Sequence, residues 1–358
     1  MDFSITPDQR LMQESLSRVL EAAAPLERVR KFAADREDPG ADIWAALCDF
    51  GLPGVVVDEE HGGLGLGLLD AALAAEALGR SVAPTSFLGA VAGSVALTRA
   101  GSAAQQSAWL PKIAAGEVIV GLAISEPIAG ARDGAGVDAD GDRLTGKALF
   151  VTDAMSADLF VVADNAGGLH LVDGHAAGLA REPMTTIDLT RRLGELRFEG
   201  TESEPLAAHG LDAVRDAAWT LLAADTLGAA QVMIEKAVAY AKERRQFGRV
   251  IGSFQAVKHM CAEMAAELEP CRSLVWYAAY AFDDAPEEAS LTAAHAKAHL
   301  SEVGRFIART ATEVHGGMGI TDLLGLHYWF KRIGLDRQLL GGPERVRRIA
   351  AQIQGLAA

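Results

Sequence analysis

Leu159-Phe160-Val161-Val162, then Ala163-Asp164-Asn165-Ala166-Gly167-Gly168, then Leu169-His170-Leu171-Val172: this stretch decides the fold class. Each apolar run is too short for a helix, and the Asp, Asn and Gly between them supply turn chemistry, so the stretch reads as two strands. The same signature extends outward. Val118-Ile119-Val120, Leu144-Thr145-Gly146-Lys147 and Leu149-Phe150-Val151 precede it, and Leu196-Arg197-Phe198 follows. Runs this brief at this spacing suggest a small antiparallel β-barrel or sandwich in place of βαβ units.

Beyond Glu117 on one side and Pro205 on the other, the period changes to that of a helix. Leu11, Met12, Leu16, Val19 and Leu20 recur at helical spacing, as do Ile43, Trp44, Leu47 and Phe50. Gly51-Leu52-Pro53-Gly54 and His61-Gly62-Gly63-Leu64-Gly65 punctuate this region as turns. Abundant Ala favours helix and close helix approach. After Pro205, helical segments over 211–245, 253–284 and 287–316, and a last one after Pro343, are long enough for a bundle. The expected fold is therefore mostly α with a central β-domain. Its parts are an N-terminal helical domain (1–116), a middle β-domain (117–205) and a C-terminal helical bundle (206–358).

The 358 residues are 50% hydrophobic, enough for a large core, which excludes disorder as the main state. A net charge of −15 repels phosphate backbones and argues against a nucleic-acid partner. Cys48, Cys261 and Cys271 show neither a disulfide framework nor a zinc spacing, so no metal is expected and a reducing cytoplasm fits best. Met1-Asp2-Phe3-Ser4 lacks the charged and apolar regions of a leader. The Ala/Leu-rich runs are interrupted by charge short of the ~20 residues that span a bilayer, so no membrane span is expected.

Three motifs carry both a structural and a functional reading. Gly62-Gly63-Leu64-Gly65-Leu66-Gly67 has the wrong spacing for a dinucleotide fingerprint and reads as a structural loop. Glu243-Arg244-Arg245-Gln246-Phe247-Gly248, with Gln255 beyond, is a solvated helix end or a guanidinium beside an aromatic that holds a pyrophosphate. Glu313-Val314-His315-Gly316-Gly317-Met318-Gly319 is an ordinary helix cap or a close backbone approach to a ligand.

Taken in order, these and further motifs resemble the acyl-CoA dehydrogenase family over essentially the whole chain. The resemblance is carried by Glu59-Glu60-His61-Gly62-Gly63-Leu64-Gly65, Leu110-Pro111-Lys112-Ile113-Ala114-Ala115-Gly116-Glu117 and Ser125-Glu126-Pro127. It continues through Phe150-Val151-Thr152, Asp188-Leu189-Thr190-Arg191-Arg192, Arg244-Arg245-Gln246-Phe247-Gly248 and His315-Gly316-Gly317-Met318-Gly319. It implies a helical domain, a β-domain and a four-helix bundle, in agreement with the reading from periodicity. It also implies FAD, with the flavin ring contacted by Ser125, Phe150 and Thr152. Arg244, Phe247, Gln255, Glu313, Gly316 and Gly317 match positions that reach the FAD of a neighbouring subunit. A dimer is then the minimum competent unit, and a dimer of dimers, homomeric or heteromeric, is the default.

The chain departs from the family pattern at several points. Phe150 stands where Trp is common, and Glu313 replaces the commoner Gln, exchanging a donor and acceptor for an acceptor when ionised. Ala131 stands where a Ser hydroxyl is usual, a loss of about 0.5–1.5 kcal/mol of hydrogen bonding; Arg132 follows it. Family chemistry needs a carboxylate to take the proton alpha to the thioester carbonyl while hydride leaves the beta carbon. Counting from neighbouring motifs, the two places that supply this base fall on Leu340 and Ala218. Neither is an acid. Leu340 keeps the backbone N–H that the family uses toward the thioester oxygen. The weak substitutes are Asp216, which matches a position contacting the CoA portion, and Glu344, better suited to the first turn of the last helix. Asp225 reads as a buried polar contact of unknown partner. Trp219 replaces an Arg near the substrate and alters the shape and charge of that side of the pocket.

The resemblance therefore implies an FAD-binding subunit for 2,3-dehydrogenation of an acyl-CoA, with electrons passing to an electron-transfer flavoprotein. Base-lacking family members occur in heteromeric dehydrogenases, including those that shorten sterol side chains, and there a partner supplies the Glu. The alternatives are a free-standing dehydrogenase with a displaced acid, a catalytically silent CoA-binding scaffold, or a flavoprotein with divergent thioester chemistry.

Overall fold

The computed structural model describes residues 4–207 and 209–357; Met1, Asp2 and Phe3 of the opening segment lie outside them. Six helices come first: α1 (Pro7–Ala23), α2 (Leu26–Ala34), α3 (Ala41–Asp49), α4 (Leu68–Ser81), α5 (Phe87–Ala100) and α6 (Ala103–Ala114). Thr6 opens α1 by a capping box: its hydroxyl accepts from Gln9 N–H at 3.1 Å while the Gln9 side chain accepts from Thr6 N–H at 3.0 Å.

The middle region follows as β1 (Val120–Ala123), α7 (Ser125–Ala129), β2 (Gly136–Asp140), β3 (Arg143–Thr152), β4 (Leu159–Ala163), β5 (Leu169–Asp173), β6 (Leu179–Pro183), β7 (Leu193–Glu202) and β8 (Glu204–Pro205). It forms two four-stranded sheets, ordered β1-β4-β5-β8 and β2-β3-β7-β6. Phe160 and Val162 of β4 face Val151, Leu196 and Phe198 between the sheets, while Leu159 and Val161 face the helical core. Burial on both faces is why this strand reads as an unbroken apolar run.

The sandwich is not wholly antiparallel. β1 pairs with β4 in parallel, Val120 opposite Leu159, because the chain crosses to the other sheet through β2 and β3 before returning. The first strand also begins later than Val118, and the runs at Leu144 and Leu149 belong to one strand, β3, with a register irregularity between Ala148 and Val151.

The bundle comprises α8 (Leu211–Glu243), a short hairpin β9 (Arg245–Gln246) and β10 (Arg249–Val250), α9 (Gln255–Asp284), α10 (Pro286–His315), α11 (Leu326–Gln338) and α12 (Pro343–Ile353). α11 is absent from the periodicity reading because its buried face carries Arg332 and Asp336. The 33-residue α8 corrects another expectation: it is long and apolar enough by composition to cross a bilayer. It is instead the core helix of the bundle, with 89% of its most apolar window buried.

Candidate active site

A cavity of about 60 Å³ lies where the β-domain meets the segment between α11 and α12. Ser125, Glu126, Phe150, Gln338 and Leu340 are among its lining residues, so segments far apart in sequence meet there. Two of them depart from ordinary backbone geometry: Phe150 has φ +57° and Leu340 φ +56°. Bulky residues rarely enter the left-handed region, which costs roughly 1–2 kcal/mol. At Leu340 the turn is held from outside, since Trp219 Nε1–H donates to the Leu340 carbonyl at 2.8 Å.

The cavity wall contains polar atoms with nothing to bond. Ser125, the first residue of α7, is buried and its Oγ has no partner. Glu126 Oε1 accepts from the Leu149 N–H at 2.8 Å, but the buried Oε2 is unpaired. Burial pushes the Glu126 carboxyl above its usual range, against the Leu149 hydrogen bond. Native proteins pair such atoms, so an orphan hydroxyl and an orphan carboxylate oxygen in one apolar slot point to a polar ligand edge. Thr152, two residues beyond Phe150, is buried and its Oγ1 accepts from Leu122 N–H at 3.1 Å. The Arg132 guanidinium lies 6.0 Å from the Phe150 ring centroid.

Neither substitute acid lines this cavity. Asp216 is buried, but its carboxylate accepts from Arg215 Nε at 2.8 Å and from the Ser290 hydroxyl. Burial raises its pKa and Arg215 opposes the rise. Glu344 sits in the first turn of α12 with its side chain exposed, 3.3 Å from Arg337. Ala218 is fully buried on α8. Glu126 is the acid that sequence reasoning passed over; its position beside Ser125 was the available signal.

The remaining flavin-linked candidates form a second cluster at one end of the bundle. Arg244 closes α8, and Phe247 at the hairpin tip is 90% exposed with φ +51°. Gln255 opens α9, and Glu313, Gly316 and Gly317 end α10; all four are exposed. Stacking of Tyr240 on His315, with centroids 4.7 Å apart, ties the end of α8 to that of α10.

Beneath the cavity is a buried charge network that the sequence did not reveal. Arg332 on α11 donates to Asp188 at 2.9 Å, to Asp225 at 3.1 Å, to Thr190 Oγ1 at 2.6 Å and to the Ala83 carbonyl at 3.2 Å. Arg191 bonds Asp225 at 2.9 Å and also pairs with Asp336. Asp225 thus has two guanidinium partners, both on Oδ2, while its buried Oδ1 has none. Burial alone would lower the Arg332 pKa, but Asp225, Asp188 and Asp336 more than offset this and hold the guanidinium charged.

Comparison with known proteins fits this geometry. The family model for the acyl-CoA dehydrogenase N-terminal domain matches residues 6–117, and that for the C-terminal domain matches residues 218–354. Acyl-CoA dehydrogenase IpdE2 of Mycolicibacterium smegmatis is 32% identical over 353 residues, covering 98% of this chain and 100% of that protein. The chain belongs to the acyl-CoA dehydrogenase family. Among solved structures, the Tcur3481-Tcur3483 steroid ACAD G363A variant superposes with TM-score 0.89 at 29% identity, over 97% of this chain and 98% of that one. The ChsE4-ChsE5 complex from Mycobacterium tuberculosis contains a chain that superposes with TM-score 0.91 at 26% identity over 100% of both. Acyl-CoA dehydrogenases are oxidoreductases, and the helical, β and helical order described above is their fold.

Proposed function

We propose that this acyl-CoA dehydrogenase-family chain is the base-lacking subunit of a heteromeric flavoprotein that oxidises a CoA thioester to its 2,3-enoyl form. The carrying observation is Leu340: an aliphatic side chain at the family's base position, fixed in a left-handed turn at the cavity, with no acid at Ala218 either.

FAD is the cofactor of this family, and the residues fit it: Ser125 Oγ and Glu126 Oε2 are buried acceptors or donors in want of a partner beside Phe150. When bound, the flavin supplies the hydride acceptor. Ser125 and Thr152 would hold its polar edge, Phe150 would pack against the ring, and Arg132 places positive charge near that wall. Arg244, Phe247 and Gln255 would serve the FAD of a neighbouring subunit. The partner contributes the Glu that takes the alpha proton, and an electron-transfer flavoprotein receives the electrons. The two-component Tcur3481-Tcur3483 steroid ACAD and the ChsE4-ChsE5 complex, on which this chain superposes, support a second subunit, and the first of them supports a sterol-derived thioester.

One observation favours a second reading, a chain active by itself. Glu126 is a carboxylate in the cavity wall with a free oxygen and a pKa raised by burial. Anaerobic visible spectra with octanoyl-CoA and a steroid-derived CoA thioester separate the two readings. The chain alone is expected to leave its flavin unbleached, and the complex co-expressed with its genomic neighbour is expected to bleach. Bleaching by the chain alone, abolished in Glu126→Gln, overturns the two-subunit reading in favour of the second.

A further inference from the structure

A second cleft, of about 520 Å³, opens where the α2–α3 corner meets the turn after β3. It shares no lining residue with the cavity around Phe150 and Leu340, and its size lies within the roughly 300–1,000 Å³ of small-molecule sites. Phe32, Trp44, Pro84 and Met155 give it apolar walls. Two of these are held in place. Trp44 Nε1–H donates to the Gly116 carbonyl at 3.2 Å, and the Arg192 guanidinium lies over the Phe32 ring, 4.2 Å from its centroid.

Among these walls sits the Asp153 carboxyl, beside the Ser86 hydroxyl. Ser86 stands at the N-cap of α5 yet makes no cap bond, a contact that normally stabilises a helix start. Its hydroxyl donates instead to Asp153 Oδ1 at 3.0 Å, and Asp153 Oδ2 meets no donor among the described residues. Desolvation pushes this carboxyl up to about 7, against the hydrogen bond from Ser86 and the charges of Arg191 and Arg192. A desolvated carboxyl with one open oxygen in an apolar cleft wants a hydrogen-bond donor that the chain does not supply.

We propose that this cleft is a second ligand site, taking a ring-bearing apolar molecule whose hydroxyl donates to Asp153 Oδ2. Charge selects the head group. A carboxylate is repelled by Asp153, and an ammonium by Arg191 and Arg192, whose charges act on the same carboxyl. Nor do those guanidiniums call for an acid. Arg191 pairs with Asp225 and Asp336, and Arg192 donates to the carbonyls of Phe32, Asp35 and Arg36. A neutral hydroxyl meets neither repulsion and supplies the missing donor.

The test is calorimetric titration of the full-length chain, with the flavin it retains, at about pH 8, where Asp153 is mostly ionised. Naphthylmethanol, naphthylmethylamine and naphthoate, which share one ring system and differ in the head, are run separately. Naphthylmethanol is expected to bind about tenfold or more tightly than either charged analogue, the scale of a hydrogen bond to a charged group. Asp153→Asn keeps the shape and tolerates the left-handed φ of +53°, and it should weaken the alcohol about fivefold or more. Ala45 is exposed where it lines the cleft, so Ala45→Trp should fill the space and cut binding about tenfold or more with Tm near native. Three heads that bind alike, a charged head that binds best, or no binding of the alcohol overturns the proposal in the native chain, with no variant needed. Alcohol affinity unchanged in Ala45→Trp places the molecule elsewhere and overturns it too. Affinity unchanged in Asp153→Asn leaves the carboxyl a purely structural partner of Ser86 and overturns the recognition of the hydroxyl. Flavin bleaching decides the two-subunit reading and has no bearing on these ratios.

Discussion

Arg332 joins three parts of the molecule through one guanidinium. It reaches Asp188 and Thr190 in the β-domain, Asp225 on α8, and the Val82 and Ala83 carbonyls after α4. The helix that carries it ends at Gln338, two residues before Leu340, so this network also sets the anchor of the cavity wall. Replacing Arg332 by Ala leaves the buried Asp188 carboxylate without its guanidinium and Asp225 with Arg191 alone, and the loss should be about 3–5 kcal/mol in a urea titration. Arg332→Lys should fall between, because an ammonium restores charge but not the fork that meets two carboxylates at once. A loss under about 1 kcal/mol for the Ala variant would mean the carboxylates find water or other partners.

At the scale of elements, α4 and α8 touch backbone to backbone. A Cβ added at Gly228 would lie 1.9 Å from the Glu76 carbonyl oxygen, and one at Gly79 would lie 2.1 Å from that of Asp225. Gly228→Ala gains about 1 kcal/mol of helix propensity but forces two helices apart, a strain of about 1–3 kcal/mol. The expected sign is a lower Tm, and a raised Tm would show that the helices separate without cost. Such a crossing was invisible in the sequence, where Gly228 looked like any small residue among alanines. The same physics explains what was and was not legible elsewhere. β4 and β5 stand out because burial on both faces left them uniformly apolar. β2, Gly136–Asp140, and β6, Leu179–Pro183, have exposed positions filled by Asp and Glu and a half-buried Arg181, which erase the strand pattern. α11 hides behind Arg332 and Asp336, whose partners lie over a hundred residues away. The meeting of Ser125, Phe150 and Leu340 followed from resemblance, whereas the free oxygen of Glu126 and the bond from Trp219 needed coordinates.

The whole molecule presents an unmatched end. Phe247 is 90% exposed in a left-handed turn, beside exposed Arg244, Gln255, Gly316 and Gly317, and its ring meets the single chain edge-on at Phe254, 6.1 Å between centroids. Arg244→Ala and Phe247→Ala should therefore leave the urea midpoint of the isolated chain within about 0.5 kcal/mol of native, as for surface changes away from buried contacts. If these arms serve a neighbouring subunit, their loss is felt only in the assembly. The co-expressed complex carrying Arg244→Ala should retain less flavin per protein by visible absorbance, and its thioester-dependent bleaching should fall in proportion. The site in question is the partner's base-bearing one, so a subunit that performs no proton transfer itself would still be required for turnover. Full flavin content and full bleaching in that complex would separate the two chains functionally and leave the exposed end without a role in cofactor binding.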